Sequence, residues 1–222
     1  TGDEAEEVKQ KIESLDDRIN DLLNDYYITW VKDDGVDLGQ EEIRELDVFH
    51  WGAEFSRVFD PEKEPEERGF DVIVGNPPYI RIQELKQAQE KLVELLGELD
   101  DYETPYYNYD IALPFVERSQ DLMNNSGQLG FIMTSKWLQA RYGQKMRAKL
   151  ADEKAVTKLI DFTDQQVFKG VTTYTLILFL NKKENEVIRY GGVKDSEGSL
   201  RDTLSKVEQE INTDAMEAYD AT

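Results

Sequence analysis

The sequence predicts an α/β protein built on an open sheet, and two observations carry this prediction. Apolar runs of strand length alternate with helical segments between residues 70 and 181, which is typical of this fold class. The first run contains Val72, Ile73 and Val74, three consecutive β-branched residues that indicate a strand buried on both faces. Strands of that kind belong to parallel sheets covered by helices, so we expect a layered core.

The predicted elements follow one another in a definite order. Four strands are expected, and the last two suit an antiparallel hairpin because only a short loop joins them: 70–75, 127–135, 156–162 and 172–181. Helical periodicity predicts three helices, at 82–97, 111–124 and 143–154. The first three strands should be parallel, with the fourth antiparallel among them. In the polar tail a strand is expected near 186–193 and a helix near 199–211.

A long helix is predicted before the sheet, at residues 4–31. Its apolar side chains are spaced by four and three residues in turn, at Val8, Ile12, Leu15, Ile19 and Leu22. We favour a helix packed on its own domain, but a dimeric coiled coil has the same spacing. A short helix at 41–49 and a charged, proline-bearing loop at 60–69 are expected to follow.

Composition limits the kinds of site that the chain can hold. It has 222 residues, no cysteine and one histidine, which excludes disulfides, thiolate metal sites and histidine-rich metal sites. We predict no metal. No apolar run reaches the ~18 residues of a membrane span, and the N-terminus is unlike a signal peptide. The expectation is a soluble, cytoplasmic protein with no membrane partner.

The chain is strongly acidic, with 47 Asp and Glu, 26 Lys and Arg, and a formal net charge of −21. Such a surface repels nucleic acid at ordinary ionic strength. An acidic tail does not explain the charge, because the acids run from Asp3 to Asp220. We favour a halophilic origin, a proteome-wide acidic bias in a salty cytoplasm, where the Debye length falls to about 3 Å or less. Acidity therefore does not exclude a DNA partner.

The segment FDVIVGNPPYI (70–80) passes from a predicted strand into two prolines and a tyrosine, a combination that indicates a functional loop. Prolines cannot extend a central strand, and ligands of open α/β sheets bind beyond the carboxyl ends of strands. The Asn76 amide oxygen and the Pro77 carbonyl can each accept an N–H of a planar amine while the Tyr79 ring stacks on its plane. Two acceptors stabilise positive charge developing on that nitrogen. The tripeptide Asn-Pro-Pro alone also fits a plain turn.

The segment FDVIVGNPPY resembles the strand and catalytic loop of the S-adenosylmethionine-dependent DNA adenine N6-methyltransferases of the Asn-Pro-Pro-Tyr type, in their large restriction–modification branch. The likeness continues in the same order through 49–60, 109–138 and 165–180, and so covers about residues 45–182. It implies an incomplete Rossmann-like methyltransferase sheet, the catalytic half of the fold. It also implies a site-specific DNA-methyltransferase (adenine-specific) within a restriction–modification system.

The resemblance assigns roles residue by residue. The implied catalytic loop, which holds the amine and stacks on a flipped-out adenine, is Asn76, Pro77, Pro78 and Tyr79. Phe168 would stack on the other face of the base, or alternatively plug the hairpin. Ile111 and Phe115 would line the base pocket, whereas His50 and Trp51 are expected to pack structurally.

One part of the family pattern is missing. The family's cofactor site uses a glycine-rich loop and an acidic residue upstream of the catalytic strand, and neither precedes Phe70. We therefore expect a piece of a larger enzyme: a helical segment at 1–45, a methyltransferase catalytic subdomain at 46–183, and a linker or the start of a target-recognition region at 184–222. The parent enzyme would bind S-adenosylmethionine and double-stranded DNA, and the isolated chain would be inactive.

The missing strands would leave the strand at 70–75 with a bare edge, and bare edges recruit partners. We expect a cover from a second copy in a homodimer, from the N-terminal helix, or from residues 48–55 acting as a surrogate strand. Two other functions remain open for the motif. One is a protein-glutamine or RNA amino-methyltransferase, since a planar amide nitrogen needs the same acceptors; the other is a non-catalytic scaffold half-domain.

Overall fold

The computed structural model describes residues 2–33, 35–99, 102–162, 174–193 and 208–216. In these ranges the α-helices are α1 (Gly2–Asp33), α2 (Gln40–Leu46), α3 (Trp51–Glu54), α4 (Ile82–Ala88), α5 (Glu90–Glu98), α6 (Ala112–Leu122) and α7 (Gln144–Asp152). The strands are β1 (Phe70–Gly75), β2 (Met123–Thr134), β3 (Val156–Asp161), β4 (Thr175–Asn181), β5 (Val187–Gly192) and β6 (Glu208–Asn212). The chain is therefore a mixed α/β protein, as predicted.

The described strands form one sheet of six, in the order β1-β2-β4-β3-β5-β6. β1 is parallel to β2, while β4 lies antiparallel between β2 and β3. β3 consequently points the same way as β1 and β2, and β5 is parallel to β3. The predicted parallel set with one inserted antiparallel strand is confirmed. The carboxyl ends of β1 and β2 meet at one edge of the sheet, which positions the loop after β1.

The pairing of β1 with β2 contains an irregularity that the sequence does not predict. Phe70 pairs with Met123 and Val72 with Gln128, so residues 124–127 lie opposite Asp71 alone. The Asn124 amide fills this bulge by donating to the Asp71 carboxylate at 2.8 Å. The sequence places this turn-like stretch before the strand, whereas in the structure it is part of β2 because the bulge accommodates it.

Helices α6 and α7 cover the main core of the sheet. Fully buried side chains come from both helices and from the central strands, among them Leu113, Met133, Leu150, Leu176 and Leu178. The buried carboxylate Glu117 on α6 accepts the backbone N–H groups of Glu103 and Thr104, at 2.8 and 3.0 Å. This contact fixes the loop that leads into α6, because a buried carboxylate requires such donors.

The N-terminal helix is anchored at its C-terminal end only. Val31 lies in a second apolar cluster whose other buried members are Val36, Leu38, Leu95 and Leu99. Arg44 of α2 binds Asp21 at 2.8 Å, and His50 lies 2.9 Å from Asn24. Burial lowers the pKa of His50, as expected for a structural histidine. Residues 4–22, in contrast, are all exposed.

Three predicted elements differ from the structure. The helix at 82–97 is broken at Gln89, whose φ of −143° and ψ of 65° are not helical. The helix at 111–124 stops at Leu122, because Met123 and Asn124 enter β2. At the end of the predicted helix 199–211, Glu208–Asn212 is strand β6, paired antiparallel with β5. β5 and β6 also extend the sheet past residue 183, while the division into domains stays a prediction.

Strand β1 forms an open edge of the sheet, since it pairs with β2 alone among the described strands. Val72 and Val74 are 64% and 78% exposed, so neither helix α1 nor any other described segment covers them. The surrogate strand predicted at 48–55 is wrong, because Trp51–Glu54 forms helix α3. Trp51 instead packs structurally, with its ring 5.9 Å from that of Phe70.

Candidate active site

The loop of residues 76–80 leaves the sheet at the carboxyl end of β1. Gly75, the last residue of the strand, pairs with Phe131 of β2. A Cβ atom at Gly75 would lie 3.0 Å from the Phe131 ring, which is closer than ordinary van der Waals contact. Glycine is therefore favoured at the point where the loop begins, because a larger residue there would require the Phe131 ring to shift.

The first residues of the loop alternate between solvent and core. Asn76 and Pro78 are exposed, whereas Pro77 between them is buried. Among the residues described, the Asn76 side chain has no hydrogen-bond partner. Pro77 anchors the backbone and leaves the adjacent amide to face solvent with its hydrogen-bonding capacity unused.

Tyr79 is held against the sheet by its hydroxyl group, which donates to the Ile132 carbonyl of β2 at 3.2 Å. The ring is half-buried and packs on the main core. Burial raises the pKa of Tyr79, and the nearby Asp110 carboxylate raises it further. The phenol therefore stays neutral at physiological pH, and the position of the ring is fixed by a bond to the backbone of the sheet.

After Tyr79 the chain pairs with the segment that leads into α6. Arg81 and Asp110 form an antiparallel bridge. On either side of it, the Ile82 N–H donates to Tyr109 and the Ile111 N–H donates to Ile80, both at 3.0 Å. This pairing ties the loop to the N-terminal end of α6, and so brings the predicted residue Ile111 beside it.

The two predicted pocket residues lie at the start of α6, Ile111 immediately before the helix and Phe115 four residues later, but they differ in exposure. Ile111 is buried in the main core, while Phe115 is 46% exposed. Phe115 is consequently available to a ligand, whereas Ile111 supports the loop from below. Phe168, predicted to stack on the base, lies outside the described residues.

A polar cluster behind the loop was not predicted from the sequence. The Asp110 carboxylate is 4% exposed, accepts the Ala112 N–H at 3.0 Å, and has its pKa raised by burial. The Arg81 guanidinium lies 5.0 Å from the centre of the Tyr142 ring. Burial raises the pKa of Tyr142 to about 12. An acidic residue just before a helix is a capping signal, and this local signal in the sequence would have been enough to single out Asp110.

A tightly packed turn between β2 and α7 supports this cluster. Trp137 is completely buried, and Arg147 donates from one nitrogen to the carbonyls of Trp137 and Ala140, at 2.7 and 3.0 Å. A Cβ atom on Gly143 would lie 1.9 Å from the Trp137 carbonyl oxygen. The turn can therefore close only because residue 143 has no side chain.

The surface beside the loop carries a positive stretch in an otherwise acidic chain. No acidic residue occurs from 122 to 151, whereas five basic residues do: Lys136, Arg141, Lys145, Arg147 and Lys149. Lys136, Arg141 and Lys145 are exposed. Arg141 lies over the Tyr107 ring at 4.4 Å and Lys145 over the Tyr106 ring at 5.3 Å, in the segment leading to Asp110.

Two cavities lie away from the loop. One, of about 450 Å³, is lined by polar side chains of the strands and of the turn between β4 and β5, among them Thr157, Asn185 and Arg189. The other, of about 510 Å³, lies between α1 and α2 beside His50. Neither contains a residue of the loop at 76–80.

Comparison with known proteins assigns the architecture to a family. Residues 3–168 match the family model described as Eco57I restriction-modification methylase. The chain belongs to the Eco57I restriction-modification methylase family. The match runs through the loop, the capped helix α6 and the turn at Trp137, so the family covers the whole candidate site.

Relatives of this methylase family are longer proteins. Over 126 residues the chain is 39% identical to the type II restriction enzyme and methyltransferase RM.Eco57I of Escherichia coli, covering 57% of this chain and 12% of that protein. Over 114 residues it is 39% identical to the type II methyltransferase M.XhoI of Xanthomonas vasicola, covering 51% of this chain and 20% of the relative. The chain thus spans a small part of the curated relatives it matches.

A solved structure agrees with the methylase fold. The type IIL restriction-modification enzyme MmeI, solved in complex with DNA, superposes with a TM-score of 0.50 at 11% sequence identity. The alignment covers 80% of this chain and 21% of that chain. At this identity the likeness concerns the fold alone.

A methylase family implies a methyl donor. Before β1 the described residues form helices α1, α2 and α3, and the glycine-rich loop that the resemblance associates with the donor does not occur in the sequence ahead of Phe70. No helix of the described part is both long and apolar enough to cross a membrane.

Proposed function

We propose that this chain supplies the acceptor half of a DNA methyltransferase that modifies the exocyclic amine of adenine in a restriction–modification system. The observation that carries the proposal is the loop after β1: Asn76 is exposed and unpartnered among the described residues, while Pro77 and Tyr79 beside it are fixed. An exposed amide held by rigid neighbours is a preorganised hydrogen-bond acceptor.

Each loop residue has a defined task in this proposal. The Asn76 amide oxygen and the Pro77 carbonyl accept the two N–H groups of the target amine, which stabilises positive charge on the nitrogen as it is methylated. Tyr79, anchored to the Ile132 carbonyl, offers its ring face to the adenine. Stacking on an aromatic ring is worth about 1–3 kcal/mol per base and offsets the cost of flipping the base out.

Double-stranded DNA is the proposed partner, and the positive stretch beside the loop supports it. Lys136, Arg141 and Lys145 are exposed near the loop and can neutralise phosphates. The methyl donor proposed from the family pattern is S-adenosylmethionine, held by the remaining part of the parent enzyme. For that reason the isolated chain should not bind the donor appreciably and should be inactive.

The test is methyl incorporation by the complete enzyme, measured in parallel with DNA affinity. Asn76→Ala removes an acceptor used mainly in the transition state, so methylation of adenine should fall about a hundredfold or more while DNA affinity stays nearly unchanged. Asn20→Ala, on the exposed part of α1, is the matched control and should keep full activity.

Substrate identity separates this proposal from the open alternatives. The unmodified enzyme should methylate adenine in double-stranded DNA and leave glutamine-containing peptides and RNA untouched. Methylation of a peptide glutamine instead would refute the DNA assignment, and full activity of Asn76→Ala would refute the role of the loop. Absence of all transfer by the complete enzyme would favour a scaffold half-domain.

A further inference from the structure

The projecting part of helix α1 carries an apolar seam that nothing in the described chain covers. Its members are between 48% and 67% exposed, at Val8, Ile12, Leu15, Ile19 and Leu22. Tyr26 continues the same spacing and is 73% exposed. Contiguous apolar surface of this kind marks an interaction site, because single helices in water gain little stability without packing.

The seam lies on the side of α1 opposite to the side that docks on the protein. Asn24, Ile28 and Val31 face His50 and the second apolar cluster. At 3.6 residues per turn their mean direction points about 165° away from the mean direction of the five seam residues. The seam is therefore free to meet a partner without displacing the anchored end of the helix.

The residue types along the seam match a two-stranded, parallel coiled coil. In heptad notation Ile12 and Ile19 occupy a positions, and Leu15 and Leu22 occupy d positions. Isoleucine at a with leucine at d favours parallel dimers. The repeat runs from Ala5 to Tyr26, which is about three heptads.

Charges flanking the seam favour a second copy of the same chain as the partner. Residues 4–26 contain eight acids and only three bases, and all three bases flank the seam: Lys9, Lys11 and Arg18. In a parallel pair a g position meets the e position five residues later in the other helix. Lys11 then meets Asp16, and Glu4 meets Lys9, so both pairs are of opposite charge.

An antiparallel arrangement is less complementary. The alignment that sets Leu15 against Ile19 of the second copy brings Lys11 close to Asp25, but it also brings Arg18 close to Arg18 and Asp16 close to Asp16. Like charges in such positions are unfavourable. The charge pattern therefore selects orientation as well as partner.

We propose that α1 joins two copies of this chain in a parallel coiled coil through the seam from Val8 to Tyr26. The two sheets then lie on opposite outer sides of the helix pair, since each is docked opposite its seam.

Charge repulsion between two acidic chains acts over longer distances than the attraction between paired charges at the seam. At about 0.15 M salt the Debye length is about 8 Å, so distant repulsion is screened more than contacts.

The experiment is analytical ultracentrifugation of the 222-residue chain at about 0.15 M salt. The chain should sediment as a dimer. Lys11→Glu alone and Asp16→Lys alone should each raise the dimer dissociation constant about tenfold, since two attractive pairs become repulsive. An equimolar mixture of the two variants should restore association. In the mixed dimer the glutamate introduced at position 11 faces the lysine introduced at position 16, and the native Lys11 faces the native Asp16.

Matched controls keep the result specific to the seam. Asp17→Lys makes the same charge change at a position facing away from the seam and should leave the dimer intact. Ile12→Asp should abolish the dimer, while Gln10→Asp, on the outer face, should not. Circular dichroism checks that every variant keeps its fold.

A monomeric unmodified chain would overturn the proposal, and so would a mixture of the two charge variants that fails to associate. A dimer whose mass is unaffected by Ile12→Asp would also overturn it, since another surface would then be responsible. None of these outcomes depends on whether the chain takes part in methyl transfer.

Discussion

Asp110 is a buried carboxyl group beside the loop. Its burial makes the stability of the chain depend on pH, which can be measured. Burial raises its pKa above the ordinary 3.8, even though the Ala112 N–H, Arg81 and Lys136 act in the opposite direction. A carboxyl group with a raised pKa binds its proton more tightly in the folded state. Its contribution to stability is consequently most favourable below the unfolded pKa and is lost as pH rises through the folded pKa.

We therefore expect Asp110→Asn to flatten the pH dependence of stability. An asparagine oxygen can still accept the Ala112 N–H, but it cannot ionise. The measurement is the free energy of unfolding from denaturant titrations between about pH 4 and about pH 7. Over that range the variant should lose less stability than the unmodified chain. An unchanged slope would mean that Asp110 is not the group responsible.

The matched control for this titration is Asp17, an exposed carboxylate on the projecting part of α1. Asp17→Asn makes the same chemical change without altering a buried group and should leave the slope as it is. A similar flattening in both variants would point to the overall charge of the chain.

Residues of the site were predictable only where the information is local. The loop 76–79 was found because its four residues are consecutive and follow an obvious strand. The pairing of Arg81 with Asp110 and the contact of Arg81 with Tyr142 join positions far apart in the chain. Nothing in the sequence fixes such distances, since they depend on the order of strands and the packing of α6.

At the scale of elements, strand positions were predicted well and helix ends less so. Runs such as 156–162 are apolar and β-branched, and their pairing confirms the expectation. The break at Gln89 has no local cause, because residues 82–97 contain no proline and only the terminal glycine. Leu85 on α4 and Val93 on α5 pack on the main core while Leu95 on α5 packs on the cluster at α1, so the contacts that position the two helices come from distant parts of the chain.

The turn between β2 and α7 is the element most sensitive to a single added methyl group. Gly143→Ala places a Cβ atom at 1.9 Å from the Trp137 carbonyl oxygen, a backbone atom that cannot move alone. We expect a loss of about 3 kcal/mol or more in the free energy of unfolding, at the upper end for overpacking. Denaturant titration measures it.

Gly97 in α5 provides the matched control. A Cβ atom there meets nothing within 4 Å, and the residue lies within a helix. Gly97→Ala should therefore be neutral or stabilise the chain by about 0.5–1 kcal/mol. Equal effects of the two substitutions would contradict the packing assigned to the turn.

For the whole molecule, the net charge of −21 predicts a response to salt. Self-repulsion destabilises the compact state and is screened as ionic strength rises. The midpoint of thermal unfolding at neutral pH should thus increase between about 0.1 M and about 1 M potassium chloride, where the Debye length falls from about 10 Å to about 3 Å. Scanning calorimetry or circular dichroism measures it.

The same scan near the isoelectric point serves as its control. The sequence pI is about 4.4, so the net charge is small there and added salt should move the midpoint little. A chain whose midpoint at neutral pH is unaffected by salt would not support the halophilic interpretation of its acidity.

The open edge of β1 gives the sheet a place where a further strand can be added, directly before the loop at 76–80. The loop begins at Gly75, and on its outer side the strand that carries it has no hydrogen-bonded neighbour among the described residues. An extended segment that pairs there, supplied on a separate polypeptide, would add a strand by backbone hydrogen bonds and cover Val72 and Val74. Such an addition would extend the sheet beside the start of the loop, and the exposure of Val72 and Val74 would report whether the edge is occupied.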